Sequence, residues 1–258
     1  MLDGIGSVAA WAVFQRQGEA LSARFAERRD NQADMARFRE RAAAIGSVEE
    51  LLRDRRSLGV VLEAFQLESE IDKRAVIRRL LTEDPADPRS FANRMVDRRY
   101  RELAAAFGGR GGPPLRDPAL VERIVSGALA NRFEKAAGEG NPGLREALYF
   151  RRVAPSVANL NQLMSDRALT AVARGALGLP EKFGLLSFEQ QRRILEQRFP
   201  VAELQDPRAV GRLVQRYLNG LPAAAPAAAD PRLALLSPAS SAADGLLGLV
   251  GRGLSVRA

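Results

Sequence analysis

Apolar residues recur along this chain at helical spacing wherever a pattern can be read. Trp11, Phe14, Leu21 and Phe25 fall three, seven and four residues apart. That spacing puts them on one stripe of a helix through residues 7–45, or of two stacked helices, with Arg24, Glu27, Arg28 and Arg29 mainly off it. The stripe can dock on the rest of the fold or on a partner helix from another chain, and the second option would make this segment a homo-oligomerisation arm. Val96, Tyr100, Leu103 and Phe107 form a second stripe, and Leu120, Val121, Ile124, Val125, Ala128 and Leu129 a third. Val210, Leu213, Val214, Tyr217 and Leu218 form a fourth. Strand-type alternation is absent at useful length, so the pattern predicts an all-α fold, a multi-helix bundle.

Helix signals divide the stripes. Gly46 breaks the first pattern, and Ser47 with Glu50 restarts it as a capping box, a device repeated by Ser187 with Gln190. Asp87-Pro88, Asp117-Pro118 and Asp206-Pro207 predict three more helix starts, with Asp as N-cap and Pro at the first helical position, where its missing N–H costs nothing. Glycines and prolines at 108–114 predict a loop between two helical groups, and 139–143 a turn feeding the helix that carries Tyr149, which Pro155 should end or kink.

An internal repeat is visible in outline. Asp54-Arg55 precedes Ala64-Phe65-Gln66-Leu67, and 112 residues later Asp166-Arg167 precedes Ala176-Leu177-Gly178-Leu179. Each set is followed by Asp-Pro-Arg, at Asp87 and at Asp206. A duplication would mean two related helical modules packed as one body. The organisation read from these signals is an amphipathic N-terminal arm at 1–45, an all-helical core domain at 46–220, and an Ala/Pro linker with a C-terminal tail at 221–258. That tail is either disordered or a short docking helix, since Gly245, Gly248, Gly251 and Gly253 each weaken helix by about 1 kcal/mol relative to alanine.

Composition narrows the chemistry. The 258 residues contain neither cysteine nor histidine, which removes thiol nucleophiles, thiolate metal sites and the commonest general base near neutral pH. The net charge of +8 invites a nucleic-acid reading. Yet only Lys73, Lys135 and Lys182 are lysines among the 39 basic residues, a skew typical of GC-rich coding, and the arginines alternate with Glu and Asp as on a solvated helical surface. A nucleic-acid role is therefore disfavoured. The glycines at 108–112 lack the Lys-Ser/Thr ending of a phosphate loop. Glu49/Glu50 and Glu68/Glu70 read as a helix N-terminus and a solvated turn rather than as catalytic pairs. The start of the chain has an acid at Asp3 and no basic region before its short apolar run, and no window reaches the length of a transmembrane helix. The expectation is a cytoplasmic protein that is not an enzyme, holds no metal or cofactor, and works by binding another protein.

Two segments are the most distinctive: DPRSFANRMVDRRYRELAAAF at 87–107 and GLREALYFRR at 143–152. Both set an arginine doublet, Arg98-Arg99 or Arg151-Arg152, close to aromatics. Two readings stand beside each other. The arginines brace helices internally against acids such as Asp97 and Glu102, or they form a partner-facing patch of the kind enriched in binding hot spots. Asn93 is a poor helix former there and should bond a neighbouring loop backbone. The candidate interaction residues are Trp11, Phe14, Phe91, Asn93, Arg99, Tyr100, Tyr149, Phe150 and Arg151. Over residues 38–217 the chain resembles a family of unknown function found chiefly in alphaproteobacteria and often encoded among flagellar genes. Phe91-Ala92-Asn93, Arg99-Tyr100 and Ala147-Leu148-Tyr149-Phe150 match its recurring elements, whereas Gln66 stands where members tend to carry glycine in an Ala-Phe-Gly-Leu element. The resemblance implies a scaffold or export-associated partner in flagellar assembly or function. It permits export through the flagellar apparatus and a flagellar component as partner. The alternative is a cytoplasmic regulator that recognises an acidic partner through arginine-rich helix faces.

Overall fold

Of the two readings of residues 7–45, one helix or two stacked ones, the second holds. In the computed structural model, which describes residues 5–108 and 114–221, α1 (Ser7–Ala26) ends beside α2 (Arg29–Ala44), with Arg28 in extended conformation between them. The buried Asn31 Nδ2 reaches back to donate to the Phe25 carbonyl at 2.8 Å, satisfying one of the acceptors that every helix end leaves open. There follow α3 (Val48–Arg53), α4 (Arg55–Ala64), α5 (Arg74–Thr82), α6 (Phe91–Arg94), α7 (Arg98–Phe107) and the long α8 (Pro118–Glu139). The second half continues with α9 (Leu144–Val153), α10 (Leu160–Met164), α11 (Arg167–Ala176), α12 (Phe188–Arg198) and α13 (Pro207–Asn219). No strand occurs among the described residues, and the fold is an all-α multi-helix bundle. Among them no helix is long and apolar enough to cross a membrane.

The caps follow the sequence in most places. Asp117 and Asp206 cap α8 and α13, each with proline in the first turn, and Ser187 with Gln190 closes a complete capping box. Ser47 accepts from the Glu50 N–H, but Glu50 returns its carboxylate to the Gly46 N–H rather than to Ser47. Asp87-Pro88 starts no helix. The Asp87 carboxylate accepts from the Arg89 N–H in a turn, and Ser90 caps α6 instead. Val96 is likewise not part of a helical stripe: it precedes the Asp97 cap of α7 and is 75% exposed. Pro155 does end α9, in a single tight turn at Ala154–Ser156. From residue 222 onward the expected linker and tail lie outside the described residues, as do 109–113 of the expected loop.

Two hydrophobic cores organise the helices. One gathers α2 to α7 with the first half of α8, around Met35, Phe38, Leu51, Leu62, Ile77, Leu103 and Ile124. The other gathers α9 to α13 with the last turns of α8, and it also holds Trp11, Leu21 and Phe25 of α1. Residues 5–45 are therefore not an arm standing apart from a core. Helix α1 belongs to the second core and α2 to the first, because the apolar stripe of each finds its partners there. Burying aromatics of this size contributes a few kcal/mol each, more than an exposed stripe would give up to remain available to another chain. Helix α8 runs through both cores. Where it crosses α4, a Cβ on Gly127 would stand 2.9 Å from the Ala64 carbonyl oxygen, so only glycine lets the two backbones approach this closely.

The order of elements recurs in the two halves. Each runs from a long helix (α1; α8) through a second (α2; α9) and a short side-chain-capped one (α3; α10) to a ten-residue helix capped by Asp54 or Asp166 (α4; α11). The ends of α4 and α11 match bond for bond. Leu67 N–H donates to Leu62 O at 2.8 Å across a left-handed Gln66 (φ 57°), and Leu179 N–H donates to Arg174 O at 3.0 Å across a left-handed Gly178 (φ 62°). Both are Schellman endings. Gln66 occupies the conformation for which glycine is preferred, so the departure at this position leaves the helix ending intact.

Candidate functional site

Where the apolar stripe of α8 would continue past Ala128 it turns polar, with Asn131 and Glu134 both buried. These residues sit at the seam between the two cores, and a network of charged groups is built around them. The Glu134 side chain, 4% exposed, accepts from Arg152 Nε at 2.6 Å and Nη2 at 3.1 Å, and from Gln66 Nε2 at 3.0 Å. Burial pushes its carboxyl above the ordinary carboxylate range, and Arg152 with Gln66 draws it part of the way back. Asn131 Nδ2 donates to the Glu63 carbonyl at 2.9 Å and to the Glu68 carboxylate, which Lys135 also meets. Arg132 spans Glu63 at 2.8 Å and Asp34 at 3.1 Å. Thus α2, α4, α8 and α9 are held to one another by charge-assisted bonds, the strong kind.

A second part of the network joins α7 to the second core. Arg99 lies against Asp97 and donates to the Gln66 carbonyl at 2.7 Å, while Arg98 pairs with Glu102 and reaches Ser156 Oγ at 2.9 Å. The Tyr149 hydroxyl donates to Asp166 Oδ2 at 2.5 Å, and the other Asp166 oxygen caps α11 by accepting from Ala168 and Leu169 N–H. Burial first, and then the Asp166 charge, raise the Tyr149 phenol, so it stays a proton donor at any ordinary pH. Each carboxylate in this seam is committed to an opposing donor. What the arrangement does chemically is clamp helices in register.

The sequence-predicted residues divide between this brace and the core. Trp11 is fully buried and stacks on Phe14, with ring centroids 5.8 Å apart. Tyr149 and Phe150 are buried too, so these three form no partner-facing surface. Arg99 braces, as one of the two readings of the doublets had it, and so do Arg98 and Arg152. Tyr100 is buried beside Glu70, and its phenol is pushed up to about 12 by burial and then by that neighbour. Asn93 Nδ2 bonds the Pro85 and Asp87 carbonyls, both at 2.8 Å, which is the loop-fastening role expected of it. Phe91 is half-buried under the Arg79 guanidinium, 4.8 Å from the ring centroid. Arg151 is exposed and lies 4.9 Å over the half-buried ring of Phe14. Of the candidates, only Phe14 and Arg151 come together near the surface, at a small cavity of about 280 Å³ against Phe133 and Leu148.

The sequence reading missed Glu134, Arg132, Glu63 and Asp166. Their signal was the interruption of the α8 stripe by Asn131 and Glu134 at helical spacing, together with the Asp166 start signal. It also missed a larger cleft of about 690 Å³ between α2 and α4, lined by Asp34, Arg37, Phe38 and Arg41 on one side and by Arg55, Arg56, Gly59, Val60 and Glu63 on the other. Among the described residues no group of three acids stands close enough to hold a metal ion.

Fold and seam together define a braced, double-cored helical protein. The chain belongs to the family described as protein of unknown function (DUF1217), whose model matches residues 64–210. It is also similar to a protein from Agrobacterium tumefaciens, an alphaproteobacterium, whose X-ray crystal structure was solved in a structural genomics programme. Identity is 27%, the TM-score is 0.75, and the match covers 83% of this chain and 92% of that one. No curated protein matches the sequence.

Proposed function

We propose that this chain is a non-enzymatic binding protein of the flagellum, a scaffold or export-associated partner in flagellar assembly or function. The observation that carries the binding part of this reading is the commitment of the buried charges. Glu134, Arg152, Arg99 and Asp166 are consumed in holding helices together, which makes a stiff body suited to presenting surfaces. The flagellar part rests on the resemblance carried by Phe91-Ala92-Asn93, Arg99-Tyr100 and Ala147 to Phe150. Deleting the gene and scoring motility, with filament staining to separate assembly from rotation, tests it. Loss of swimming that the intact gene restores is the expected result, and fully motile cells with normal filaments refute it.

A second reading, a cytoplasmic regulator that takes an acidic partner on its arginine faces, draws support from the cleft between α2 and α4. Recovery of the chain with filaments or in the medium counts against the regulator, which would stay in the cytoplasm.

A further inference from the structure

We infer that Asn219-Gly220, at the end of α13, is a deamidation site whose isoaspartyl product unseats Leu221 from the second core. It is the single Asn-Gly pair in the chain; the six other asparagines are followed by glutamine, arginine, proline or leucine. Asn219 and Gly220 are both exposed, whereas Asn31, Asn131 and Asn141 are buried. Glycine has no side chain to shield its amide nitrogen and its backbone turns readily, so that nitrogen can reach the side-chain carbonyl carbon of Asn219. The new N–C bond forms as the Gly220 amide proton leaves to hydroxide. The side-chain nitrogen takes a proton from water and departs as ammonia. Water then opens the cyclic imide at either of its carbonyls. One opening gives aspartate; the other gives isoaspartate, in which the backbone runs through the side-chain carbon.

Helix α13 sets the rate. Its last turn holds both reacting groups: the Gly220 N–H donates to the Arg216 carbonyl at 3.0 Å, and Asn219 Oδ1 accepts from Gln215 Nε2 at 3.1 Å. The turn must open before the nitrogen can swing onto the amide. Helix ends do open, since their final carbonyls have no partner within the helix and fraying there costs little. The consequence follows from the neighbours. Tyr217 and Leu221 both lie against Gly143, and the Tyr217 ring also covers Gly175 of α11. The Leu221 N–H donates to the Leu218 carbonyl at 3.3 Å, which keeps the two side chains in step. Isoaspartate adds a carbon to the backbone between these two anchors. Tyr217 is buried and Leu221 only half-buried, so Leu221 is the one that lifts. Aspartate at the same place puts a carboxylate at the negative end of the helix but leaves the backbone spacing alone.

Peptide mapping of the full chain, aged at mildly alkaline pH in buffer and in urea, tests this, with isoaspartate counted by enzymatic methylation. Asn219 should convert before any other asparagine. It should do so about ten- to a hundredfold more slowly in the folded chain than in urea, because two hydrogen bonds must open first. Gly220→Ala should all but stop the reaction in both; the added methyl lies 3.4 Å from the Arg216 carbonyl oxygen, a contact the helix end accepts. Amide exchange then reads the consequence. The aged, isoaspartyl chain should lose protection at the Leu221 N–H, while freshly made Asn219→Asp keeps it. Earlier conversion of another asparagine overturns the site. A folded rate equal to that in urea, or below about a thousandth of it, overturns gating by the last turn. Unchanged exchange at Leu221 in the isoaspartyl chain, or an equal loss in Asn219→Asp, overturns the unseating.

Discussion

Replacing Arg152 by methionine tests whether the seam between the cores is a brace. Methionine keeps most of the stem but removes both bonds that Arg152 makes to Glu134, leaving Gln66 Nε2 at 3.0 Å as the carboxylate's one hydrogen-bond partner. Breaking a buried pair from one side costs about 3–5 kcal/mol, because a buried charge is left uncompensated. Arg152 itself is 38% exposed, so water can partly replace it, and the low end, about 3 kcal/mol at neutral to mildly alkaline pH, is the expected loss. The pH dependence is the sharper signature. Burial already raises the Glu134 carboxyl, and removing the guanidinium raises it further. A group whose folded pKa lies above its unfolded one binds more protons in the native state, so its contribution to stability is full at low pH and declines as pH rises through the folded value. Urea denaturation followed by circular dichroism should therefore show the defect of Arg152→Met shrinking as pH is lowered from about 8 to about 5, by about 1.4 kcal/mol for each unit of added shift. Adding Glu134→Leu to the same chain should recover much of the loss, since replacing both partners by apolar groups is often close to neutral. A loss under about 1 kcal/mol that is flat with pH would refute the reasoning, because it would mean that Glu134 is either well solvated or already neutral.

Three other outcomes follow from particular contacts. Tyr149→Phe removes the donor to the buried Asp166 while leaving its helix cap in place, and calorimetry should show about 1.5–3 kcal/mol of lost stability with α11 intact. Gly127→Ala drives a methyl into the Ala64 carbonyl, and separating α4 from α8 should cost about 1–3 kcal/mol, read as a melting temperature lower by several degrees. At position 66, Gln66→Ala loses the bond to Glu134 and keeps the left-handed strain, so it should fall below the wild type, whereas Gln66→Gly should recover about 1 kcal/mol of that difference in urea melts.

The all-α class, the two halves and most helix starts could be read from spacing and caps, because both are local. Asp166 and Asp54 cap helices of the same length that end in the same way, and the short sequence match between the halves was enough to expose that. What spacing could not supply was the destination of each stripe. The α1 pattern said that Trp11 and Phe25 share a face, but nothing local states that their partners lie near Phe133 and Leu213 rather than on another chain. Asp87-Pro88 misled for a related reason: the carboxylate and the proline favour a turn as readily as a helix, and Ser90 three residues on was the better-placed cap. Of the nine candidate residues, aromatics and arginines were chosen for what they do at interfaces. Trp11, Tyr100, Tyr149 and Phe150 turn inward instead, into one core or the other, and Arg99 braces α7.

The placement of α1 has a consequence for how the chain comes into being. Its apolar stripe leaves the ribosome well before the surfaces that cover it, which are on the end of α8 and on α9 to α13. At about 5–20 residues per second, Phe25 waits roughly ten to forty seconds before α13 emerges. During that interval Trp11, Leu21 and Phe25 are as sticky as any nascent segment, while α2 onward can already settle around Met35 and Ile77. Synthesis order thus leaves the stripe of α1 uncovered until the helices of the second core have emerged to close over it.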